Sequence, residues 1–296
     1  MILNQVFRQD PTRTTSLRKK FIADVVRRFT TLKRGIVRAV VEQDVFGLTE
    51  RQHTISLNIK TNLEDRQFEF LRADKKIDSF MKWLDEMEEK GVLDVIHGPS
   101  MYDGPQPWTN VYIDSAYKQG MRRANAELRK RGYDVPKAEG FIAGVRDPIA
   151  VAFNQPFHAE RVAVLYTRVY SELKGITDAM DQQISRTLAQ GMSEGKNPIQ
   201  IAREMVDKVD GIGINRAKTL ARTEVINAHH QATINTYEQW GVMGVTVQAE
   251  WLTAGFNVCP ICSSHSGKTY SLQQIRGMIP AHPNCRCCAI PVMKER

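Results

Sequence analysis

Three features of the sequence predict a mainly α-helical protein with a small α+β, cysteine-rich C-terminal domain. Apolar residues recur at threes and fours along several long stretches before residue 240. All five cysteines fall between Cys259 and Cys288. Neither a heptad array, an internal repeat nor a low-complexity tract competes with these signals.

The elements follow in chain order. Leu17, Phe21, Val25, Phe29, Leu32, Ile36 and Val40 form one apolar stripe, which predicts a first helix with Ser16 as its N-cap. TISLNIK (54–60) alternates and predicts a strand, paired as a hairpin with QFEFL (67–71). Ile77, Phe80, Met81, Trp83, Leu84 and Met87 predict a helix over 75–90, and HGPSMYDGPQPW (97–108) reads as loop. Trp108, Tyr112, Ala116, Gly120, Ala124 and Leu128 form a row of fours that predicts a helix to Arg131; its small middle residues permit close approach by a neighbour. Residues 132–156, with Pro136, Pro148 and Pro156, read as irregular.

The clearest helix spans 157–190 on Val162, Leu165, Val169, Leu173, Ile176, Met180, Ile184 and Leu188, and ends at Gly191 and Gly195. Asn197 and Pro198 supply an N-cap and an N1 proline for a short helix to 209. Gly211-Ile-Gly213 has no third glycine and follows no strand, so it reads as a turn and not as a phosphate loop. Asn215 caps a helix to Gly241, and VTVQAEWLT (245–253) is β-like. The expected organisation is a basic helical segment over 1–50 and a mixed α/β segment over 51–150. A helical part over 151–240 and a Cys/His-rich tail over 241–296 then form one domain.

Composition excludes several classes. The 296 residues are 42% apolar and 25% charged, ordinary globular proportions, and 19 Gly with 12 Pro are too few for a fibrous chain. No apolar run approaches the roughly 18 residues of a membrane helix, so no membrane span is expected. MILNQVFRQD lacks the features of a signal peptide, which predicts a product of the host cytoplasm, where thiols stay reduced.

Charge is distributed unevenly. Residues 1–40 carry ten basic side chains against Asp10 and Asp24, and so hold the whole net charge of +8. Arg18, Lys19, Lys20, Arg27, Arg28, Lys33, Arg34 and Arg38 are the candidates for contact with an anionic partner, with a solvated helix face as the plain alternative. Phe21 and Phe29 belong to the apolar stripe, which argues against stacking on single-stranded bases.

The tail carries the chemistry. Cys259-Pro-Ile-Cys262 has the spacing that lets two sulfurs from one turn meet a tetrahedral ion, and His282, Cys285 and Cys287 form a second half-site twenty residues on. The favoured ligands of a structural zinc are Cys259, Cys262, His282 and Cys285, with Cys287 as the replacement for one of the last pair. His265 and Cys288 complete the candidate donors. A redox dithiol would need a βαβ setting that is missing here; disulfides, buried thiols and a catalytic cysteine stay open as alternatives.

Leu220-Ala-Arg-Thr-Glu224, Trp251, Cys259-Pro-Ile-Cys262, Gly267-Lys-Thr-Tyr270 and Ala281-His-Pro-Asn-Cys-Arg-Cys287 occur in that order. Together they resemble the C-terminal signature of the phage Mu F-like head morphogenesis family, over about residues 150–292. The chain departs from that pattern at Gly255-Phe256-Asn257, where members commonly carry an Asp before the first cysteine. The resemblance implies a minor capsid protein of a tailed bacteriophage or prophage, located in the virion near the portal and often ejected with DNA. Its implied partners are the portal protein, with the major capsid or scaffolding protein as further candidates, and packaged double-stranded DNA held without sequence preference.

Arg222, Thr223 and Glu224 splay over about 200° of a helix surface. They are therefore expected to clamp the cysteine loops through Arg222 or Glu224, and not to share one pocket. The competing class is an enzyme, either a metal-dependent nuclease or a cysteine-based transferase packaged in the virion. A nuclease metal needs an open position and a general base, yet no carboxylate lies between Glu250 and Glu295. A binding protein is preferred, with no catalytic residue assigned.

Overall fold

The structure is a computed structural model that describes residues 10–48, 70–96, 106–133, 135, 148–242, 247–255 and 257–293. Helix α1 (Thr15–Val37) starts one residue before the expected cap and runs into a π-helical turn, Arg38–Glu42. It is followed by α2 (Ala73–Lys90), the short strands β1 (Val95–Ile96) and β2 (Gln106–Pro107), and α3 (Asn110–Lys130). Next come α4 (Pro148–Phe153), α5 (Pro156–Ser193) and α6 (Pro198–Lys208). A second π-helical turn, Val209–Ile214, leads into α7 (Asn215–Val242). The tail holds β3 (Val247–Leu252), α8 (Pro260–His265), β4 (Thr269–Ser271), α9 (Leu272–Ile275) and β5 (Cys288–Met293).

Two expectations are corrected. Gly211-Ile-Gly213 is not a turn between helices: α6 passes into α7 through a widened helical turn. A Cβ at Gly213 would come within 2.6 Å of the Phe29 ring and 3.0 Å of the Met180 sulfur, so packing holds the backbone there. The irregular reading of 132–156 misses α4, whose Pro148 occupies a first-turn position that tolerates proline. The hairpin strand 54–60 lies outside the described residues, as do the first three residues of 67–71; Phe70 and Leu71 are loop and turn.

The chain divides into two compact units, each drawn from several chain segments. The first takes Met1–Ile22, Thr109–Val169 and Thr219–Arg296. Its core joins Ala124 and Leu128 of α3, Ile226, Ile234 and Tyr237 of α7, and Val247, Ala249 and Trp251 of β3 to the tail residues Ile275, Ile279 and Ala289. The tail therefore has no core of its own. β3 lies centrally in its antiparallel sheet, ordered β4-β3-β5, with Gln248 opposite Ser271 and Trp251 opposite Ala289. In the same unit, Asn235 Nδ2 donates to Tyr117 Oη (2.7 Å), which lies 2.9 Å from His158 Nδ1.

The second unit takes Ala23–Trp108 and Tyr170–Lys218. Its buried residues include Phe29, Leu32 and Ile36 of α1, Phe80 and Leu84 of α2, and Leu173, Met180 and Ile184 of α5. Phe46 meets the Phe80 and Trp83 rings edge-on at 5.3 and 5.8 Å. Among the described residues no helix is long and apolar enough to cross a membrane.

Candidate metal centre

The centre is built on α7 and the tail loops. Cys259 is the N-cap of α8, with Pro260 behind it, and its sulfur accepts from the Cys262 N–H at 3.4 Å. One helical turn therefore aims both sulfurs to the same side. His282 Nδ1 donates to the Pro283 carbonyl at 2.8 Å, which leaves Nε2 as the metal-facing nitrogen. That Nε2 lies 3.2 Å from Cys259 Sγ and 3.1 Å from Cys262 Sγ. Cys262 Sγ lies 3.8 Å from Cys285 Sγ.

The ligand atoms of Cys259, Cys262 and His282 lie within 4.8 Å of one another, as do those of Cys262, Cys285 and Cys287. The donor set fits a metal of zinc type. A tetrahedral ion with bonds of about 2.3 Å to sulfur and 2.0 Å to nitrogen sets S···S edges of about 3.8 Å and S···N edges of about 3.5 Å. The Cys262–Cys285 separation already equals such an edge, and half-buried His282 needs a shift of a few tenths of an ångström.

Cys287 Sγ lies within 4.8 Å of both the Cys262 and Cys285 sulfurs. Its thiol hydrogen bond draws Cys285 down to about 5, and the same bond together with burial pushes Cys287 well above the usual thiol range. Burial raises Cys262 to about 12, while the backbone N–H of Cys262 lowers Cys259. Cys288 is buried in the unit core and raised to about 11 by that burial. All five cysteines carry free thiols.

The loop between His282 and Cys285 is held by α7. Asn284 adopts a left-handed backbone (φ 64°), its N–H donates to Thr223 Oγ1 at 3.2 Å, and its Oδ1 accepts from Arg222 at 3.3 Å. Glu224 makes its ion pair within the helical part of the unit. It is buried, pairs with Arg168 of α5 at 3.2 Å and accepts from Asn227 at 3.1 Å. One turn further along, His230 Nε2 donates to the Ile275 carbonyl at 2.9 Å and Gln231 to that of Arg276 at 3.0 Å. Arg276 in turn donates to Asn235 Oδ1 at 2.8 Å and pairs with Glu238.

Trp251 is fully buried and stacks on His265 (centroids 4.7 Å apart), whose Nδ1 lies 2.6 Å from Tyr270 Oη. His265 is thereby engaged elsewhere. Sequence reasoning missed Asn284, Tyr270 and the Pro283 carbonyl. The signal for Asn284 was its residue type, since asparagine enters the left-handed region more readily than most.

The basic N-terminal candidates have diverse surroundings. In the first unit Arg18 is buried and paired with Asp10, whereas Lys19 and Lys20 are exposed. In the second, Arg27 pairs with Asp24, and Arg28 reaches Asp94 and the Gly91 carbonyl and stacks 4.3 Å over Trp108. Lys33 pairs with Asp210 at 2.6 Å, while Arg34 and Arg38 are exposed.

An all-Cys/His centre of this kind, clamped by a helix, defines a metal-compatible structural module. Residues 182–290 match the family model described as Phage Mu protein F like protein, a span that takes in the end of α5, α6, α7 and the tail through Ile290. The chain thus carries a segment, somewhat over a third of its length, that is similar to the Mu F-like family. No curated protein and no solved structure matches it.

Proposed function

We propose that the chain is a minor head protein of a tailed bacteriophage or prophage that associates with the portal and acts in head assembly by binding and not by turnover. The observation that carries this reading is the Mu F-like match over the very segment that holds the clamped Cys/His loops. A structural zinc held by Cys259, Cys262, His282 and Cys285, with Cys287 as the replacement for one of the last pair, would join two tail loops that lack a separate core. Four protein ligands leave no open position for a substrate or an activated water.

The test is to locate the chain in purified procapsids and virions by mass spectrometry and cryo-EM. Density at the portal vertex is expected, and its absence from both particles would sink the assembly role. Metal analysis of protein purified in reducing buffer should give one zinc per chain. Cys262→Ser should lose that zinc and unfold at lower denaturant. Metal-free wild type, or a variant as stable as wild type, would remove the zinc reading. DNA cleavage by clean protein, lost in His282→Ala, would promote a nuclease instead.

Packaged DNA is the second partner in this reading, contacted through Lys19, Lys20, Arg27, Arg34 and Arg38. These five are the exposed members of the basic set on and just beyond α1. In the second unit Arg27 and Arg34, seven residues apart, fall on one side of that helix.

A further inference from the structure

The second unit contains a carboxyl cluster that the head-protein reading does not use. Glu88, in the last turn of α2, is only 3% exposed and shares a hydrogen bond with Asp181 of α5. One oxygen of each, Glu88 Oε1 and Asp181 Oδ1, is buried with no hydrogen-bond partner among the described residues. Asp85 and Asp178 stand three residues before each, one turn away on the same helices, and both are exposed. Thr177 adds a hydroxyl beside Glu88. Among the described residues, no Lys or Arg forms an ion pair with any of the four carboxyls.

Two hydrogen-bonded carboxyls that each keep a buried, unpartnered oxygen are a standing cost unless a positive species meets them. A single shared proton would satisfy the Glu88–Asp181 contact but leaves the two orphaned oxygens unpartnered, with Asp85 and Asp178 adding charge at the rim. We propose that this cluster is a binding site for a hard divalent cation, Mg2+ or Ca2+, with Glu88 and Asp181 as direct ligands. Asp85 and Asp178 line the entry from solvent, and water completes the shell. Oxygen donors of this kind select such ions, whereas the thiol centre in the other unit selects soft ones. The two sites are therefore independent, and the fate of one reading does not decide the other.

The experiment uses the full chain in metal-free buffer at neutral pH, titrated separately with MgCl2 and CaCl2. Isothermal calorimetry and the thermal midpoint provide the readouts. A saturable heat and a rise in midpoint are expected with at least one of the two ions. Glu88→Gln keeps the volume and lets an amide donate to Asp181, so this variant should fold. It should weaken binding about tenfold or more, because affinity at such sites follows the charge of the ligands. An equal response in wild type and Glu88→Gln would overturn the site, as would no saturable response to either ion. In the latter case, a wild-type midpoint that falls with rising pH, and ceases to do so in Glu88→Gln, would assign the pair to a shared proton.

Discussion

Asn284 shows how one residue can set a loop. Its left-handed backbone turns the chain between His282 and Cys285, while its N–H and side chain dock that turn on Thr223 and Arg222. Asn284→Ala should cost about 1–2 kcal/mol in urea unfolding, from a lost side-chain hydrogen bond and a backbone region costly for alanine. Asn284→Gly should cost less, since glycine keeps the turn; equal costs would mean the backbone conformation is incidental. The sequence foretold a clamp from Arg222 or Glu224, and adjacent helix positions explain the outcome. Arg222 and Thr223 reach the loop, and Glu224, a further 100° round, turns into the unit toward Arg168. His229 and His230 are both buried in the first unit, and that burial lowers them to about 3 and about 4. Their charge is thus gained only on unfolding, so they add stability above pH 6.5 that is lost as the pH falls toward 4. Urea midpoints measured from pH 7.5 to 4.5 should fall accordingly. Among the described residues His229 Nε2 has no hydrogen-bond partner, so His229→Leu should flatten part of that fall; an unchanged slope would exclude His229 as a source.

At the scale of elements, long periodic rows were readable and local backbone geometry was not. The eight apolar residues of the 157–190 row give α5 as one continuous helix from Pro156 to Ser193. Gly175 does not break it, and a Cβ there would meet nothing within 4 Å among the described residues. Gly175→Ala should therefore raise stability by about 0.5–1 kcal/mol. The same change at Gly120 should act oppositely. A Cβ there would stand 2.3 Å from the His229 carbonyl oxygen and 2.8 Å from the Ala232 Cβ, so α3 and α7 would have to part. A loss of about 1–3 kcal/mol or more is expected for Gly120→Ala, and a neutral result would mean that the helices have room to slide. The row of fours through Gly120 carried that close approach in the sequence. The π-helical turn at Val209–Ile214 was not legible, because it depends on Phe29 and Met180 packing against Gly213 from remote parts of the chain.

For the molecule as a whole, net charge overstated what is available to a partner. Arg18, Arg28 and Lys33 are committed to Asp10, Asp94 and Asp210, leaving five exposed cations of the eight candidates. Each phosphate contact contributes about −0.9 to the slope of log K against log salt, so DNA binding should show a slope no steeper than about −4.5. A steeper slope would mean that cations elsewhere take part, and a flat one would exclude phosphate contact. The metal-compatible half-sites were legible from cysteine spacing alone, whereas their dependence on the α3 and α7 core was not. That core is shared between residues more than a hundred positions apart. The centre is also buried unevenly. Cys262, Cys285 and Cys287 are at most 3% exposed, while Cys259 and His282 are only partly covered. Exchange at this centre should therefore proceed from one edge. A competing chelator or an alkylating reagent would engage Cys259 first, and the three inner thiols would react only at the rate at which the tail opens.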